Sequence, residues 1–172
     1  MNRVATGVIV GFLFMLVAPF MFAEWEVNAL MNISLGSIFL LMPTNATAAF
    51  STWFSLGFHP DGSLFLIFGS VDWLFDPYLR EIVWMTIMAW FSTGFLIGLI
   101  VKGWKKSTLV AIGVFIAYFA IYLILSVVSG KDLATLFSGS NLVDLFGVLL
   151  TGALFSFLGG LSGGALGGPG EE

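Results

Sequence analysis

Long apolar runs, separated by short polar turns, dominate the pattern of the chain. Four of these runs are long enough for a membrane helix, and they cover residues 4–23, 82–101, 108–128 and 142–165. A helix needs roughly 20 predominantly apolar residues to cross the hydrocarbon layer of a bilayer. The pattern therefore predicts an all-α integral membrane protein with about four transmembrane helices, built as a single polytopic domain over residues 1–172.

The first apolar run has two interpretations, a membrane anchor and a cleaved signal peptide. It follows Arg3 and ends at Ala23, which fits the basic start and small final residue of a signal peptide. Met21, however, occupies a position where cleavage requires a second small residue, and the run is long for this role. We therefore expect a retained anchor.

Residues 24–79 contain three shorter apolar stretches instead of one long run. The stretches cover residues 28–42, 46–58 and 64–75, and turn-forming residues such as Pro43 separate them. Apolar runs of about 10–14 residues are typical of interfacial or re-entrant segments. We predict short, membrane-hugging helices in an outer segment over residues 24–79. An alternative with residues 28–42 and 46–68 as two further spans, six in total, stays open.

Composition supports a membrane location, since 59% of the residues are apolar and only 9% are charged. A chain of this length cannot bury so much apolar surface internally, so the excess must face lipid. The basic residues Arg3, Lys102, Lys105 and Lys106 fall on one side of a four-span topology. Because cytoplasmic loops collect Lys and Arg, we expect a multi-pass cell-membrane protein with both termini cytoplasmic.

Candidate chemistry is sparse. The chain has no cysteine, which excludes disulfides and thiolate chemistry, and its net charge of −4 argues against nucleic acid as a partner. The lone histidine, His59, lies in a turn, and no residues around it have the spacing of zinc or calcium ligands. The sequence therefore predicts no catalytic residues, no metal, no cofactor and no enzymatic activity.

Small residues recur at intervals of four in three of the predicted spans. The set comprises Gly7, Gly11, Gly94, Gly98, Gly152, Ser156, Gly160, Gly164 and Gly168. Positions four apart share one face of a helix, and small residues there allow another helix to approach closely. The partner helix could belong to this chain or to another protein, and the spacing leaves both interpretations open.

These observations favour a non-catalytic accessory or assembly subunit that packs against partner helices through its glycine-rich faces, as a hetero- or homo-oligomer. The alternative is the small-molecule-binding membrane component of a transporter, which the aromatic residues Trp53, Trp73 and Trp84 near the outer side would suit. An ion-coupled pump is disfavoured, because no charge lies in the middle of the first three spans.

Overall fold

Four long helices make up most of the molecule. The computed structural model describes residues 2–22, 26–27, 33–58, 75–132, 134 and 137–169. Its long helices are α1 (Arg3–Phe22), α4 (Pro77–Val101), α5 (Trp104–Val128) and α6 (Gly139–Leu166). Each is long and apolar enough to cross a membrane. The predicted all-α membrane fold with four spans is confirmed.

The part of residues 24–79 that the structure describes is built from short elements. Two-residue strands, β1 (Glu26–Val27) and β2 (Ile33–Ser34), pair antiparallel. They are followed by α2 (Leu35–Leu41), α3 (Ala46–Ser55) and a 3-10 turn at Leu56–Phe58. With seven and ten residues, α2 and α3 are both too short to cross a bilayer. The six-span alternative therefore has no support in the described residues.

Local sequence signals explain where the short and long helices begin. The side chain of Asn45 accepts a hydrogen bond from the backbone N–H of Ala48, 3.0 Å away, and thereby caps α3. The fourth helix begins at Pro77, directly after Asp76, as the Asp-Pro pair predicts. Between α4 and α5 only Lys102 and Gly103 intervene, both with positive φ, so α5 begins four residues before the predicted span.

The helix α4 lies at the centre of the bundle. It packs extensively against α6 and α1 and more narrowly against α5, while α5 and α6 also pack against each other. The short helix α3 lies against α5, and the 3-10 turn touches α1, α4 and α6. One end of the bundle carries Arg3, Lys102, Lys105 and Lys106, and is called the basic end below.

The core is arranged in three layers along the bundle. Near the basic end, Ile97 and Val101 pack with Ala111 and Val114. In the middle lies an aromatic layer around Trp90. The third layer, towards the opposite end, combines residues of the long helices with residues of α2, α3 and the 3-10 turn, namely Phe20, Ile38, Ala49, Leu56, Ile82 and Met85.

Candidate functional site

Glycines bring α4 and α6 into backbone contact. A methyl group added to Gly94 would lie 2.5 Å from the carbonyl oxygen of Ser156 and 2.9 Å from the backbone nitrogen of Gly160. One added to Gly98 would lie 2.5 Å from the backbone nitrogen of Gly164. Because backbone atoms cannot rotate out of the way as a side chain can, neither position accepts a larger residue without separating the helices.

Two further glycine contacts fix α6 between its neighbours. Gly159 and Gly163 lie against the backbone of Phe91 and Phe95 on α4. On the other side of α6, the hydroxyl of Ser107 on α5 donates a hydrogen bond of 2.8 Å to the carbonyl oxygen of Gly160. The glycines of α6 therefore serve two contacts within this chain at once, one with each neighbouring helix.

The other predicted packing residues also face this chain's own helices, with one exception. Gly7 lies next to Val101, and Gly11 next to Ile97, so α1 approaches α4 closely. Gly152 lies against Phe115. A methyl group added to Gly168, by contrast, would meet nothing within 4 Å. This glycine has a φ of +84° and follows the end of α6, where its carbonyl oxygen accepts a hydrogen bond of 3.0 Å from the backbone N–H of Gly103. Internal packing thus accounts for the close contacts of this set.

The segment 46–58, comprising α3 and the 3-10 turn, enters the bundle between the long helices. Its last residue, Phe58, is 6% exposed and lies within 6 Å, ring centre to ring centre, of five aromatic rings. These rings belong to Trp90, Phe115, Tyr118, Phe119 and Tyr122. Since Trp90 and Tyr118 lie near the middle of α4 and α5, the segment reaches about half the depth of the bundle.

Two tryptophans hold this inserted segment through backbone carbonyl groups. The indole nitrogen of Trp90 donates a buried hydrogen bond of 2.9 Å to the carbonyl oxygen of Gly57. The indole nitrogen of Trp53 donates one of 2.6 Å to the carbonyl oxygen of Leu16 on α1. The sequence predicted an interfacial or re-entrant segment, but its pattern did not identify these partners.

A cavity opens near the end of the bundle opposite the basic end. It has a volume of about 320 Å³ and is lined by Phe22, Pro77, Arg80, Glu81 and Trp84. Its walls therefore combine aromatic surface with one cationic and one anionic side chain. This combination suits a small amphipathic ligand, and the volume is at the lower limit of typical ligand pockets.

The outward face of α5 carries small residues at mid-depth. Gly113, Ala117 and Ala120 are exposed there, and a methyl group added to Gly113 would meet nothing within 4 Å. Of the larger exposed side chains, Leu109 and Ile124 lie above and below, and Ile116 lies beside the small residues at the same depth. This face is apolar between Leu109 and Val128, and none of the residues that the structure describes covers it.

The described residues contain no cluster suited to binding a metal ion. Within those ranges, no cluster of three or more His, Asp or Glu side chains could hold a metal ion. His59 lies outside the described residues, as do Asp61 and Asp72. The arrangement that the structure does show is one of helix packing, with close contacts within the chain and an exposed face of small residues on α5.

Comparison of the chain with family models, with curated proteins and with solved structures finds no match. The fold by itself nevertheless defines a class. Four helices of spanning length and apolar composition make this chain a multi-pass membrane protein.

Proposed function

We propose that this chain is a non-catalytic accessory or assembly subunit, which binds a transmembrane helix of a partner protein along the outward face of α5. The observation that supports this most directly is the open surface at Gly113 and Ala117. Small residues four apart allow a second helix to approach to close packing distance, and this drives helix association in lipid.

The outward faces of the other helices differ from this surface. On α1, Val8, Ile9, Leu13 and Val17 are exposed, and these branched side chains form a face suited to fluid lipid. On α6, the exposed residues include Phe146, Leu150 and Leu154. Bulky side chains at mid-depth keep a neighbouring helix at a distance, and α5 combines only Ile116 with three exposed small residues there, so it offers the best site for a partner.

The glycines of α4 and α6 are unsuited to this role in the folded chain. Gly94 and Gly98 contact the backbone of α6, and a partner helix could reach them only by displacing it. The partner contact is therefore proposed on α5, while the glycine contacts hold the subunit together. The occupant we propose is an apolar helix, because α5 carries no charge between Lys106 and its end at Val128.

The location we propose is a cell membrane, with both termini and the turn between α4 and α5 in the cytoplasm. Four basic side chains at the basic end support this orientation, because Lys and Arg accumulate on the cytoplasmic side. At the opposite end, the described basic side chains are Arg80 and Lys131.

The test uses the full chain, gently extracted from its native membrane, with the mass of the complex as readout. Ala117→Leu places a bulky side chain in the centre of the proposed contact, and we expect it to dissociate the complex. Ala5→Leu, on the exposed face of α1, adds the same atoms elsewhere and should leave the complex intact. A monomeric wild-type chain, or a complex that Ala117→Leu leaves unchanged, would contradict the proposal.

A second candidate function is small-molecule binding as part of a transporter, and the cavity beside Arg80 and Trp84 favours it. A ligand that binds only the folded chain raises its melting temperature. A compound screen should therefore find a stabilising ligand whose effect Trp84→Ala abolishes. If no compound raises the melting temperature, or if Trp84→Ala keeps the shift, this candidate function is wrong.

A further inference from the structure

Exposure falls along the inserted segment 46–58 from its beginning to its end. Thr47 and Phe50, near the start of α3, are exposed, whereas Leu56, Gly57 and Phe58 are buried. The segment therefore inserts with its C-terminal turn first, and α3 keeps an outward face. Because that face is exposed, an outward movement of α3 does not require a long helix to be displaced.

The docked position of the segment depends on contacts that can break together. The hydrogen bonds from Trp53 to α1 and from Trp90 to the 3-10 turn join it to two long helices. Aromatic contacts add to them, and Phe54 lies 4.5 Å from Tyr118, ring centre to ring centre. The ten-residue α3 has little stability of its own, since isolated helices of this length are marginal. The segment is thus held mainly by its docking.

Three buried hydroxyl groups around the segment have no hydrogen-bond partner among the residues that the structure describes. They belong to Ser51 on α3, Thr86 on α4 and Tyr118 on α5, each at most 1% exposed. A serine or threonine hydroxyl in a helix can bond to the carbonyl oxygen of the preceding turn, as Thr108 does to Trp104. Ser51 and Thr86 do not. Because burying an unpaired hydroxyl is costly, the docked state carries a penalty at each of these positions.

The elements that carry these hydroxyls all contact the docked segment or belong to it. Ser51 precedes Phe54 by three residues and therefore shares its side of α3, the side that packs against Tyr118. Thr86 lies one turn from Trp90, whose indole binds the 3-10 turn. Withdrawal of the segment would let water reach this region, and water would supply the hydrogen-bond partners that the docked state lacks.

We propose that the inserted segment is a gate, which opens towards the end opposite the basic end and admits small uncharged polar solutes to the middle of the bundle. Ser51, Thr86 and Tyr118 are the groups that form hydrogen bonds with such a solute. The apolar layer near the basic end stays packed, so the gate leads to a binding site and not to a passage through the bundle.

The composition of the surrounding helices favours an uncharged solute. The described residues 4–22, 46–58, 82–101 and 107–128 contain no charged side chain. Bringing an ion into apolar surroundings without a partner costs far more than bringing in a hydroxyl or an amide. The solute class is therefore a small neutral molecule with hydroxyl or amide groups.

The experiment measures the rate at which iodoacetamide, a small uncharged amide, alkylates single cysteines in the full chain in lipid nanodiscs. Ser51→Cys reports opening of the gate. Ser156→Cys is the matched control, because Ser156 is also 1% exposed but lies against Gly94 in the contact between α4 and α6. We expect alkylation of Ser51→Cys and none of Ser156→Cys. Adding Trp90→Phe removes a neutral hydrogen bond that holds the gate and should speed alkylation of Ser51→Cys roughly 2- to 10-fold.

Iodoacetate tests the charge selectivity, since it has nearly the size of iodoacetamide and carries a negative charge. Ser138→Cys, at an exposed position, gives the ratio of the two rates in free solution. At Ser51→Cys this ratio should favour iodoacetamide by a further factor of about ten or more. Equal ratios at the two positions would overturn the uncharged solute class. Absence of alkylation at Ser51→Cys, equal rates at Ser51→Cys and Ser156→Cys, or a rate that Trp90→Phe leaves unchanged would overturn the gate.

A measurement on the wild-type chain covers the case of a variant that does not fold. Backbone amides exchange with solvent through local openings that need less free energy than global unfolding. The amides of residues 54–58 are buried in the docked state, so their exchange reports the opening of the gate. We expect them to exchange faster than the amides of residues 89–97 in α4. Equal protection of the two stretches would contradict the proposal.

Discussion

The indole nitrogen of Trp90 donates a hydrogen bond to the carbonyl oxygen of Gly57, 2.9 Å away and fully buried. This bond joins a spanning helix to the inserted segment near the middle of the bundle. Gly57 is tightly enclosed, since a methyl group added to it would lie 2.8 Å from the terminal carbon of Met15 and 3.4 Å from the ring of Trp90. The bond satisfies a carbonyl group of a short turn at a depth where water is scarce, and such groups are otherwise costly.

Trp90→Phe should lower the free energy of unfolding by about 1–3 kcal/mol, because it leaves the carbonyl oxygen of Gly57 buried without a donor. The ring packing against Phe58 and Phe115 would largely remain. Trp84→Phe is the matched control on the same helix. Trp84 is 51% exposed, and its replacement should change stability by no more than about 0.5 kcal/mol. Equal effects of the two substitutions in thermal or denaturant unfolding would contradict this role of Trp90.

Gly94→Ala should destabilise the bundle by about 1–3 kcal/mol, since the added methyl group meets the backbone of Ser156 and Gly160. Gly113→Ala makes the same chemical change in α5, where nothing lies within 4 Å. There the better helix propensity of alanine should stabilise the chain by up to about 1 kcal/mol. Melting temperatures of the purified variants measure both effects. A stabilising Gly94→Ala would show that α4 and α6 are further apart than described.

Trp53→Phe should loosen the contact between α3 and α1, because it removes the donor to the carbonyl oxygen of Leu16. The ring contacts with Phe20 and Phe39 can persist. We expect a loss of about 1–3 kcal/mol in stability. Hydrogen exchange should rise in α3 more than in α4, which would distinguish local loosening from global destabilisation. Exchange that rises equally in both helices would contradict a local role for this bond.

Single cysteines can test the orientation of the chain, since the native sequence contains none. Ser138→Cys and Pro169→Cys place an exposed thiol at each end of the bundle without removing a Lys or Arg. In intact cells, a membrane-impermeant maleimide should label Ser138→Cys and leave Pro169→Cys unlabelled. Permeabilised cells should label both. The reverse pattern would place the basic end outside the cell.

The spanning helices could be predicted from the sequence because length and hydropathy determine them almost alone. Residues 82–101 and 142–165 lie within α4 and α6 as they stand. The residue at which each helix begins is harder to predict from length and hydropathy. In α5, Trp104, Lys105 and Lys106 belong to the helix, although their polarity separates them from the apolar run. The helix extends beyond its apolar part, and hydropathy indicates only where the apolar part begins.

The inserted segment shows where sequence reasoning stops. The length of residues 46–58 indicated a short element, and Asn45 and Pro43 mark its beginning. Its position among Trp90, Tyr118 and Phe119 depends on pairings between residues far apart in the chain, which periodicity does not contain. The same limit applies to the glycines. Their spacing indicates close helix contacts. Only the tertiary structure shows that Gly94 contacts the backbone of Ser156 and that a methyl group on Gly113 would meet nothing within 4 Å.

The depth reached by Phe58 has a consequence for biogenesis. The rings that surround this residue belong to α4 and α5, which are synthesised after it. Until those helices have been inserted, the turn at Leu56–Phe58 has α1 beside it but lacks the donor from Trp90 and the surrounding rings, and unsatisfied backbone in lipid is costly. The turn must therefore wait outside the hydrocarbon during translation and take up its place last. Docking of this turn therefore follows the synthesis of α5, and a chain that ends before residue 122 would carry an incomplete core.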